Sequence, residues 1–376
     1  MDQHKFTTLV EALAAVPDPR KRRGQRYPWI FLLTLVAAAL ASGQQHGRAI
    51  GQWVQEHAAE WRQALDWRGR ALPSAATVRR VLRHLDLAAL EDRLRQLGEP
   101  HPPAPAPPPW QGIALDGKEL RGARAHGRVV HLVSLVRHDG TVLAQTAVAD
   151  KSNEITAAPA LLQGRNLRGQ VVTVDALLAQ QALARQIRQQ HGHYLMVIKA
   201  NQPEVFQAIA LRFAEPPAGV TAAESVVRTV DKGHGRLEWR TLETSAALAD
   251  WLGWPGGRQV LRRTCRRVII ATGEVSEEVT YGITSLSAQQ ANAAVLERLW
   301  RGHWAIENRV YYPRDVTLGE DAGQAYRGNT PQALAALRNA VLNLFRAHGW
   351  RSVADALRHY GAFPDRALRL IGAIPG

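Results

Sequence analysis

The sequence predicts an α/β protein in which a mixed sheet flanked by helices follows an all-helical N-terminal region. Residues 1–98 show only the apolar spacing of helices, whereas short apolar strands alternate with helices from residue 111 onward. Between these regions, residues 99–110 contain seven prolines. A stretch of this composition forms a stiff, extended linker rather than part of a core, so it predicts a domain boundary.

Composition limits the partners of this chain. Its 376 residues are enough for two or three domains with a sizeable core. Lys and Arg outnumber Asp and Glu by 47 to 33, which gives a net charge of +14 at pH 7. That excess indicates a polyanionic partner, most simply nucleic acid, although a ribosomal or membrane-surface protein would have a similar charge. The single Cys265 excludes an internal disulfide framework and a multi-cysteine zinc site, and it favours a reducing, cytoplasmic setting.

One apolar segment, Trp29–Ala41, has the composition of either a buried helix or the core of a signal peptide. It follows a basic run and ends in small residues, as a signal peptide does. However, the region before it is long and contains Asp2, Glu11 and Asp18, and the segment is too short to span a bilayer. We therefore predict a buried helix and no membrane partner.

Three further helices are predicted in the N-terminal region, at residues 49–65, 74–84 and 87–97. Pro73 and Ser74 form a start signal for the second of these helices, whose exposed side carries Arg79 and Arg80. Several short helices with one basic face suit a DNA reader of the helix-turn-helix kind. A helical bundle with ordinary surface arginines explains the same pattern equally well.

The order of elements after the linker is strand, strand, strand, helix, strand, helix, strand. The strands are predicted at residues 112–118, 129–137, 141–149, 170–175 and 194–199, and the helices at residues 153–162 and 179–190. The second and third strands form a hairpin around Asp139 and Gly140. A sheet that starts with a hairpin and continues through helical crossovers has the order of an RNase H-like core. A doubly wound nucleotide-binding sheet is the alternative, although no Gly-rich phosphate loop follows any strand.

Residues 201–285 interrupt this order and predict a β-rich insertion between two parts of the core, residues 111–200 and 286–350. After a helix near residues 203–213, β-type segments follow at residues 225–230, 236–242, 259–271 and 275–283. The third of these segments is crowded with positive charge, at Arg262, Arg263, Arg266 and Arg267. We therefore expect the insertion to hold a nucleic-acid backbone.

A helix is predicted over residues 287–312, with Ser287 and Gln290 as its capping box and Pro313 at its end. Its core-facing stripe would contain His303 and Glu307 among apolar residues. An ionised carboxylate on such a stripe is unfavourable unless a metal, Arg or Lys meets it. Further helices at residues 333–346 and 352–360 are predicted, the latter in a helical tail at 351–376.

Three acids could support chemistry. Asp116 and Asp175 each follow a strand that should be buried on both faces. Together with Glu307 they would repel one another unless a divalent cation lay between them, and all-oxygen ligation suits Mg²⁺. Two such ions can activate a water or a DNA 3′-hydroxyl for in-line phosphoryl transfer. From the residues alone, scattered structural acids are an equal alternative, and Glu320 or Asp321 could replace Glu307 as the third ligand.

At these acids the sequence resembles the bacterial insertion-sequence transposases of the Asp-Asp-Glu type, in the H-repeat-associated group. The matching stretches are residues 114–122 (Ala-Leu-Asp-Gly-Lys-Glu-Leu-Arg-Gly), 151–155, 173–180, 198–202 (Ile-Lys-Ala-Asn-Gln), 233–236, 301–308 (Arg-Gly-His-Trp-Ala-Ile-Glu-Asn) and 315–321. Jointly these stretches are specific, and the resemblance covers nearly the whole chain. Trp300, His303 and Arg314 stand where the wider superfamily places Tyr, Arg and Lys around its glutamate.

The resemblance implies an RNase H-like, metal-dependent endonuclease and polynucleotidyl transferase with Asp116, Asp175 and Glu307 as catalytic residues and metal ligands. Its cofactor would be Mg²⁺, with Mn²⁺ as a substitute. Its partner would be double-stranded DNA, namely the element ends and the target DNA. The protein would bind this DNA as a homodimer, in the cytoplasm and associated with the nucleoid. The predicted DNA contacts are Lys118, Arg121, Lys199, His234, Arg236, Arg301, His303, Trp304, Arg314, Arg79 and Arg80. A related nuclease without strand transfer and a domesticated DNA-binding protein are the alternatives.

Overall fold

A computed structural model describes residues 6–97, 110–148 and 153–375, without positions 24, 125, 126, 128, 217, 249 and 324. The chain forms two compact units. The first, which we call the helical unit, consists of Met1–Ala106, Gly117–Ser152 and Ile306–Gly376; the second, the sheet unit, consists of Pro107–Asp116 and Asn153–Ala305. The predicted linker at 99–110 lies outside the described residues except for Trp110.

Apolar and β-branched residues, which favour extended backbone, form the strands. They are β1 (Gln111–Glu119), β2 (His131–Arg137), β3 (Val142–Ala147), β4 (Gln170–Val174), β5 (His193–Ile198), β6 (Ser225–Gly233), β7 (Arg236–Ser245), β8 (Gln259–Ile269) and β9 (Val275–Thr284). Each coincides with a predicted strand, with ends that differ by a few residues. The predicted hairpin is also confirmed, since β2 and β3 pair antiparallel and Gly140 in their turn has a φ of 95°.

The α-helices are α1 (Leu9–Ala14), α2 (Trp29–Ala41), α3 (Gly47–Glu56), α4 (Ala58–Ala64), α5 (Ala75–His84), α6 (Leu87–Arg95), α7 (Arg121–Arg124), α8 (Glu154–Leu162), α9 (Gln181–Gln189), α10 (Pro203–Ala214), α11 (Ala293–Gly302), α12 (Thr330–Ala347), α13 (Val353–Gly361) and α14 (Pro364–Ile371). Side-chain caps start several of them where the sequence predicts a start. Ser74 accepts the Thr77 amide at α5, and Asn153 accepts the Thr156 amide at α8. The predicted helix at 49–65 is divided into α3 and α4 at His57.

The sheet unit contains a mixed sheet with strand order β1-β4-β5-β9-β8-β7-β6. β1, β4 and β5 are parallel and are joined by helical crossovers through α8 and α9. β9 pairs antiparallel with β5, so that Met196 lies opposite Ile283. The predicted β-rich insertion is therefore not a separate body, because β6 to β9 extend the same sheet through this apolar pairing.

α11 covers one face of this sheet. Leu195, Leu261 and Leu296 belong to the buried cluster between the sheet and the helix. Gly282 leaves room for the helix, because a Cβ at this position would come within 2.6 Å of the Trp300 ring. The registers place Asp116 and Asp175 on this same face, two residues beyond Ala114 and Thr173 on their strands.

α2 is the centre of the helical unit. Nearly all of its residues are buried, and α1, α12 and α14 pack against it. A helix that is apolar on every side must be enclosed by protein, so the prediction of a buried helix is confirmed. In the part of the chain that the structure describes, no helix has the length and apolar character needed to cross a bilayer.

The N-terminal helices do not form a domain of their own, in contrast to the predicted division at residue 98. α12, α13 and α14 contribute to the same buried cluster as α2, α3 and α5, with Phe345 stacked on Tyr360. The predicted tail at 351–376 is therefore part of this core. Its contacts are distant in sequence, which local patterns do not reveal.

The predicted helix at 287–312 begins later and is interrupted. Asn292 accepts the Val295 amide and caps α11, whereas Ser287 and Gln290 form a turn before it. α11 ends at Gly302, a turn follows, and the backbone then continues as a π-helical segment formed by Glu307–Tyr311 and Pro313–Thr317.

Pro313 does not end this helical path, contrary to the prediction. Proline has no amide hydrogen and leaves the carbonyl four residues before it without a helical donor. Here that carbonyl belongs to Arg309, and it accepts a hydrogen bond from Arg346 Nη2 instead. The wider π-helical turn, in which Leu318 N donates to Pro313 O at 2.8 Å, continues the path.

Candidate active site

Asp116 and Asp175 lie side by side on two adjacent parallel strands. The register pairs Leu115 of β1 with Val174 of β4, and the two aspartates are the next residues on each strand. In-register residues of parallel strands point to the same face of a sheet, on backbones about 4.8 Å apart. The structure thus brings two of the predicted acids together.

Asp175 is accessible to a ligand. Its side chain is 53% exposed, and Lys199 Nζ lies 3.7 Å from its Oδ1. Lys199 directly follows β5, as Asp175 follows β4, and is itself exposed. An ion pair between exposed groups is weak, so this lysine leaves the carboxylate available to another cation.

His303, one residue beyond α11, connects the end of this helix to β4 through a hydrogen bond beside Asp175. Its Nδ1 lies 3.1 Å from Thr173 Oγ1. Burial lowers the pKa of His303, and the opposing effects of Asp175 and Thr173 are smaller, so the ring is neutral at pH 7. The predicted DNA contact of His303 is therefore replaced by an internal one. Thr173 was not predicted, although its place two residues before Asp175 on the same strand face is a signal for it.

Glu307 is exposed, whereas Val310 and Tyr311 of its predicted stripe are buried. The turn at His303 and the wide turns of the π-helical segment shift later residues around the axis, so regular helical spacing no longer applies. The predicted core-facing position of Glu307 is wrong. An exposed carboxylate needs no buried cation and is open to a ligand.

Lys118 is used inside the protein. Its Nζ lies 2.6 Å from Asp315 Oδ2, and the two side chains are only 8% and 16% exposed. The ammonium also lies 5.3 Å from the centre of the Tyr311 ring. The prediction that Lys118 contacts DNA is corrected by this burial, since the charge is already neutralised by Asp315.

Arg314 and Glu320 form a buried ion pair in the helical unit. Arg314 Nε and Nη2 donate to Glu320 Oε2 at 3.1 and 2.6 Å, and Arg338 Nη1 donates to Oε1 at 3.0 Å. Arg314 is fully buried and Glu320 is 4% exposed. The predicted DNA contact of Arg314 and the alternative role of Glu320 as a metal ligand are both wrong, because each is committed to the other.

Most arginines of β8 are also paired within the sheet unit. Arg262 binds Glu243 through two hydrogen bonds, and Arg263 binds Glu297 of α11 in the same way. Arg267 pairs with Glu238 of β7 at 2.8 Å. For these three arginines the expectation that they hold a nucleic-acid backbone is corrected, because cross-strand and strand–helix ion pairs take up their charge. Arg266 is exposed and lies over the Trp239 ring, and for it the expectation stays a prediction.

The other predicted DNA contacts are exposed side chains. They are Arg79 and Arg80 of α5, Arg121, Lys199, His234, Arg236, Arg301 and Trp304. Arg301 lies 2.8 Å from Asp231, and Trp304 is 59% exposed. These positions are accessible to a large polyanion.

Two carboxylates on one sheet face fit a hard cation. Asp116 and Asp175 offer the all-oxygen donors that Mg²⁺ prefers. Within the described residues, no three His, Cys, Asp or Glu side chains are close enough together to hold a metal ion. The described residues therefore bring together a pair of acids, Asp116 and Asp175, and Lys199 lies beside the second.

Two family models match the chain. The model described as DDE_Tnp_1-associated matches residues 10–97, which contain nearly all of helices α1 to α6. The model described as Transposase DDE domain matches residues 108–344, from before β1 into α12. The second match alone covers more than half of the 376 residues.

Relatives match over most of their length. "Putative transposase YncI" of Escherichia coli O157:H7 is 26% identical over 348 residues, 90% of this chain and 87% of the relative. "H repeat-associated putative transposase YhhI" of Escherichia coli (strain K12) is 27% identical over 349 residues, 89% of both chains. "Uncharacterized protein in dhlA 3'region" of Xanthobacter autotrophicus is 32% identical over 297 residues, 73% of this chain and 92% of the relative. The chain belongs to the DDE transposase family, in the group of the H repeat-associated transposases.

Proposed function

We propose that this protein is a DNA transposase that binds the terminal repeats of its own element and cuts the DNA there. It then joins the 3′ ends to a target, acting as a homodimer on double-stranded DNA in the cytoplasm at the nucleoid. The catalytic fold is RNase H-like. The parallel strands β1, β4 and β5, with helical crossovers between them, support this assignment.

The register of β1 and β4 carries the proposal. It sets Asp116 beside Asp175 on the face covered by α11. Two carboxylates so close together repel each other and favour a divalent cation between them. Mg²⁺, for which Mn²⁺ is the expected substitute, would be held by Asp116 and Asp175. Glu307 is proposed as the third ligand from the Asp-Asp-Glu pattern of the family and not from a distance in the structure. When bound, the ion supplies Lewis-acid stabilisation of the charge that develops during phosphoryl transfer.

Other residues of the chain bind and orient the DNA. Lys199 lies beside Asp175, where an ammonium can meet a phosphate oxygen. His303 stays neutral and holds the end of α11 against Thr173, and Glu307 follows it by four residues. Trp304 is exposed at this point of the chain and offers a stacking surface for a base.

Recognition of the element ends falls to the helical unit. α5 carries Arg79 and Arg80 on its exposed side, and its buried side packs against α3. The backbones of the two helices approach closely, because a Cβ on Gly51 would lie 2.3 Å from the Ala75 Cα. Two short helices so packed, with one basic exposed face, suit insertion into a major groove. Exposed Arg121, His234, Arg236 and Arg301 are further contacts in this proposal.

The test is cleavage and joining of DNA that carries the sequences flanking the gene, with Mg²⁺ present. Asp116→Asn, Asp175→Asn and Glu307→Gln should each lower cleavage by at least about a thousandfold, because each removes a charge that acts in the transition state. Glu277→Gln makes the same chemical change at an exposed acid of β9 and should leave cleavage unchanged. Binding without metal and melting temperature should stay near those of the unchanged protein. Normal cleavage by the Asp175 variant would overturn the proposal.

A further inference from the structure

The tip of the β2–β3 hairpin lies against two arginines in the helical unit. Arg309 Nη1 donates to Asp139 O at 2.9 Å. A Cβ on Gly140 would come within 3.0 Å of both Arg309 Cβ and Arg346 Nε. With a φ of 95°, Gly140 also has a backbone conformation that other residues rarely adopt. The hairpin turn therefore admits both arginine side chains at close range.

α12 holds this hairpin in place. Asn343 accepts the Val142 amide at 2.9 Å and donates to the Val142 carbonyl at 2.8 Å. One turn earlier, Asn339 Nδ2 donates to Gln145 Oε1 at 2.6 Å. Arg346 follows on the same side of the helix, three residues after Asn343. α12 thus places Arg346 next to the tip of the hairpin.

Among the described residues, no carboxylate lies within ion-pair distance of either guanidinium, and the Asp139 carboxylate attracts Arg346 only from farther away. Arg309 binds the carbonyl of Asp139, and Arg346 Nη2 binds the carbonyl of Arg309. Arg346 Nη1 is buried and has no hydrogen-bond partner. The Asp139 carboxylate instead accepts the Thr141 amide at 2.8 Å and lies 3.3 Å from Arg137.

Two neighbouring guanidinium groups repel each other, and the repulsion grows as they lose solvent. Burial, opposed by the Asp139 charge and assisted by the Arg309 charge, lowers the pKa of Arg346 to about 10. A guanidinium at this pKa is still charged at pH 7. An anion that accepts from both groups would remove the repulsion and satisfy Arg346 Nη1.

We propose that Arg309 and Arg346 bind one phosphodiester group of the DNA backbone at the tip of the hairpin. Guanidinium groups present several N–H donors in a plane and match the oxygens of a phosphate. The net charge of +14 favours a polyanion over an isolated acidic side chain. The inference rests on the proposed function for the identity of its ligand. It assigns a DNA contact to the segment that carries Glu307, two residues before Arg309.

The test is the salt dependence of binding to flanking-sequence duplex, measured by fluorescence anisotropy in EDTA so that no cleavage occurs. Each phosphate contact contributes about 0.9 to the slope of log K against log salt concentration. Arg309→Gln should lower the slope by about that amount, and Arg309→Lys should restore part of it. Arg351→Gln, which removes the same charge from an exposed site beyond α12, should change the slope much less. Equal slopes for Arg309→Gln and Arg351→Gln would overturn the inference.

A second arm distinguishes DNA from a free anion. Inorganic phosphate, added at constant ionic strength, should raise the melting temperature of the unchanged protein more than that of Arg309→Gln. If phosphate does so but the slope for DNA is unaffected, the site takes a free anion and the DNA assignment is wrong. A slope difference that persists in a protein without cleavage activity would sustain this inference while the proposed catalysis fails. A protein that binds no duplex at all would overturn both.

Discussion

Lys118 Nζ lies 2.6 Å from Asp315 Oδ2, and both side chains are almost excluded from solvent. The pair links the end of β1, two residues beyond Asp116, to the π-helical segment that begins at Glu307. A buried ion pair depends on its geometry, because desolvation of the charges offsets most of their attraction. This contact therefore fixes how the C-terminal end of β1 meets that segment.

Replacement of Asp315 by Asn should destabilise the protein by about 3–5 kcal/mol, since it removes the charged carboxylate that the buried Lys118 ammonium contacts. Urea unfolding measures the change. Asp66→Asn is the matched control, because Asp66 and Arg68 form a pair in which both side chains are more than three-quarters exposed. That variant should change stability by less than about 0.5 kcal/mol. Equal effects of the two substitutions would show that the Lys118 pair contributes no more to the free energy of unfolding than an exposed ion pair.

Glu320→Gln should behave as a structural mutation and not as the loss of a metal ligand. Two arginines, Arg314 and Arg338, would keep their buried charges without the carboxylate that neutralises them. We expect a loss of about 3–5 kcal/mol in the free energy of unfolding. At a temperature where the variant is fully folded, its dependence of cleavage on Mg²⁺ concentration should match that of the unchanged protein. A large rise in the Mg²⁺ requirement without destabilisation would restore Glu320 as a ligand candidate.

The elements that the sequence predicts well are those defined by local patterns. The apolar runs before Asp116 and Asp175 are buried strands, and Asp139-Gly140 is a hairpin turn, because strand alternation and turn residues act over a few positions. The adjacency of the two aspartates was implied by the resemblance and not by local patterns, because it depends on the pairing of β1 with β4. Parallel neighbours bring their C-terminal ends to one edge of a sheet.

The parts that local patterns miss depend on partners far along the chain. Lys118 and Asp315 are separated by 197 residues. The residues next to each of them in the sequence do not indicate that its side chain is buried. Regular helical spacing places Glu307 in the core, but the Arg346 hydrogen bond to the Arg309 carbonyl supports a π-helical path instead. The arginines of β8 predict a basic strand from their local sequence. Only the register with β7 shows that Glu243 lies opposite Arg262.

Charge reversal of Arg79 and Arg80 to Glu should weaken binding to the element ends by about tenfold or more. A single base contact is worth ~1–3 kcal/mol, and both side chains are exposed on α5. Anisotropy with flanking and unrelated duplexes measures the effect. Arg258 and Arg298, exposed in the sheet unit, provide a control pair with the same change in net charge. If both pairs reduce binding equally, α5 contributes only general attraction to DNA.

The last prediction concerns how stability depends on pH. Burial raises the pKa of Glu91, although hydrogen bonds from Gln332 and Gln145 partly oppose this. A carboxyl whose pKa is raised by folding stabilises the protein fully below its unfolded pKa of about 4.3 and loses that contribution as pH rises through the folded value. Glu91→Gln does not titrate and keeps the oxygen that accepts both hydrogen bonds. The variant should therefore gain stability relative to the unchanged protein between pH 4 and pH 7.

The same substitution at Glu11 should give the opposite trend. A hydrogen bond from the Thr7 hydroxyl, together with the Thr7 and Thr8 amides, lowers the pKa of Glu11, so its contribution is present above the unfolded pKa and lost as pH falls through the folded value. Glu11→Gln should therefore lose stability relative to the unchanged protein as pH rises from 4 to 7. Urea unfolding of the three proteins across this range measures both trends. Parallel curves for the two variants would contradict the buried state of Glu91. The two stability differences have opposite pH trends only if the environment of Glu91 disfavours its charged form.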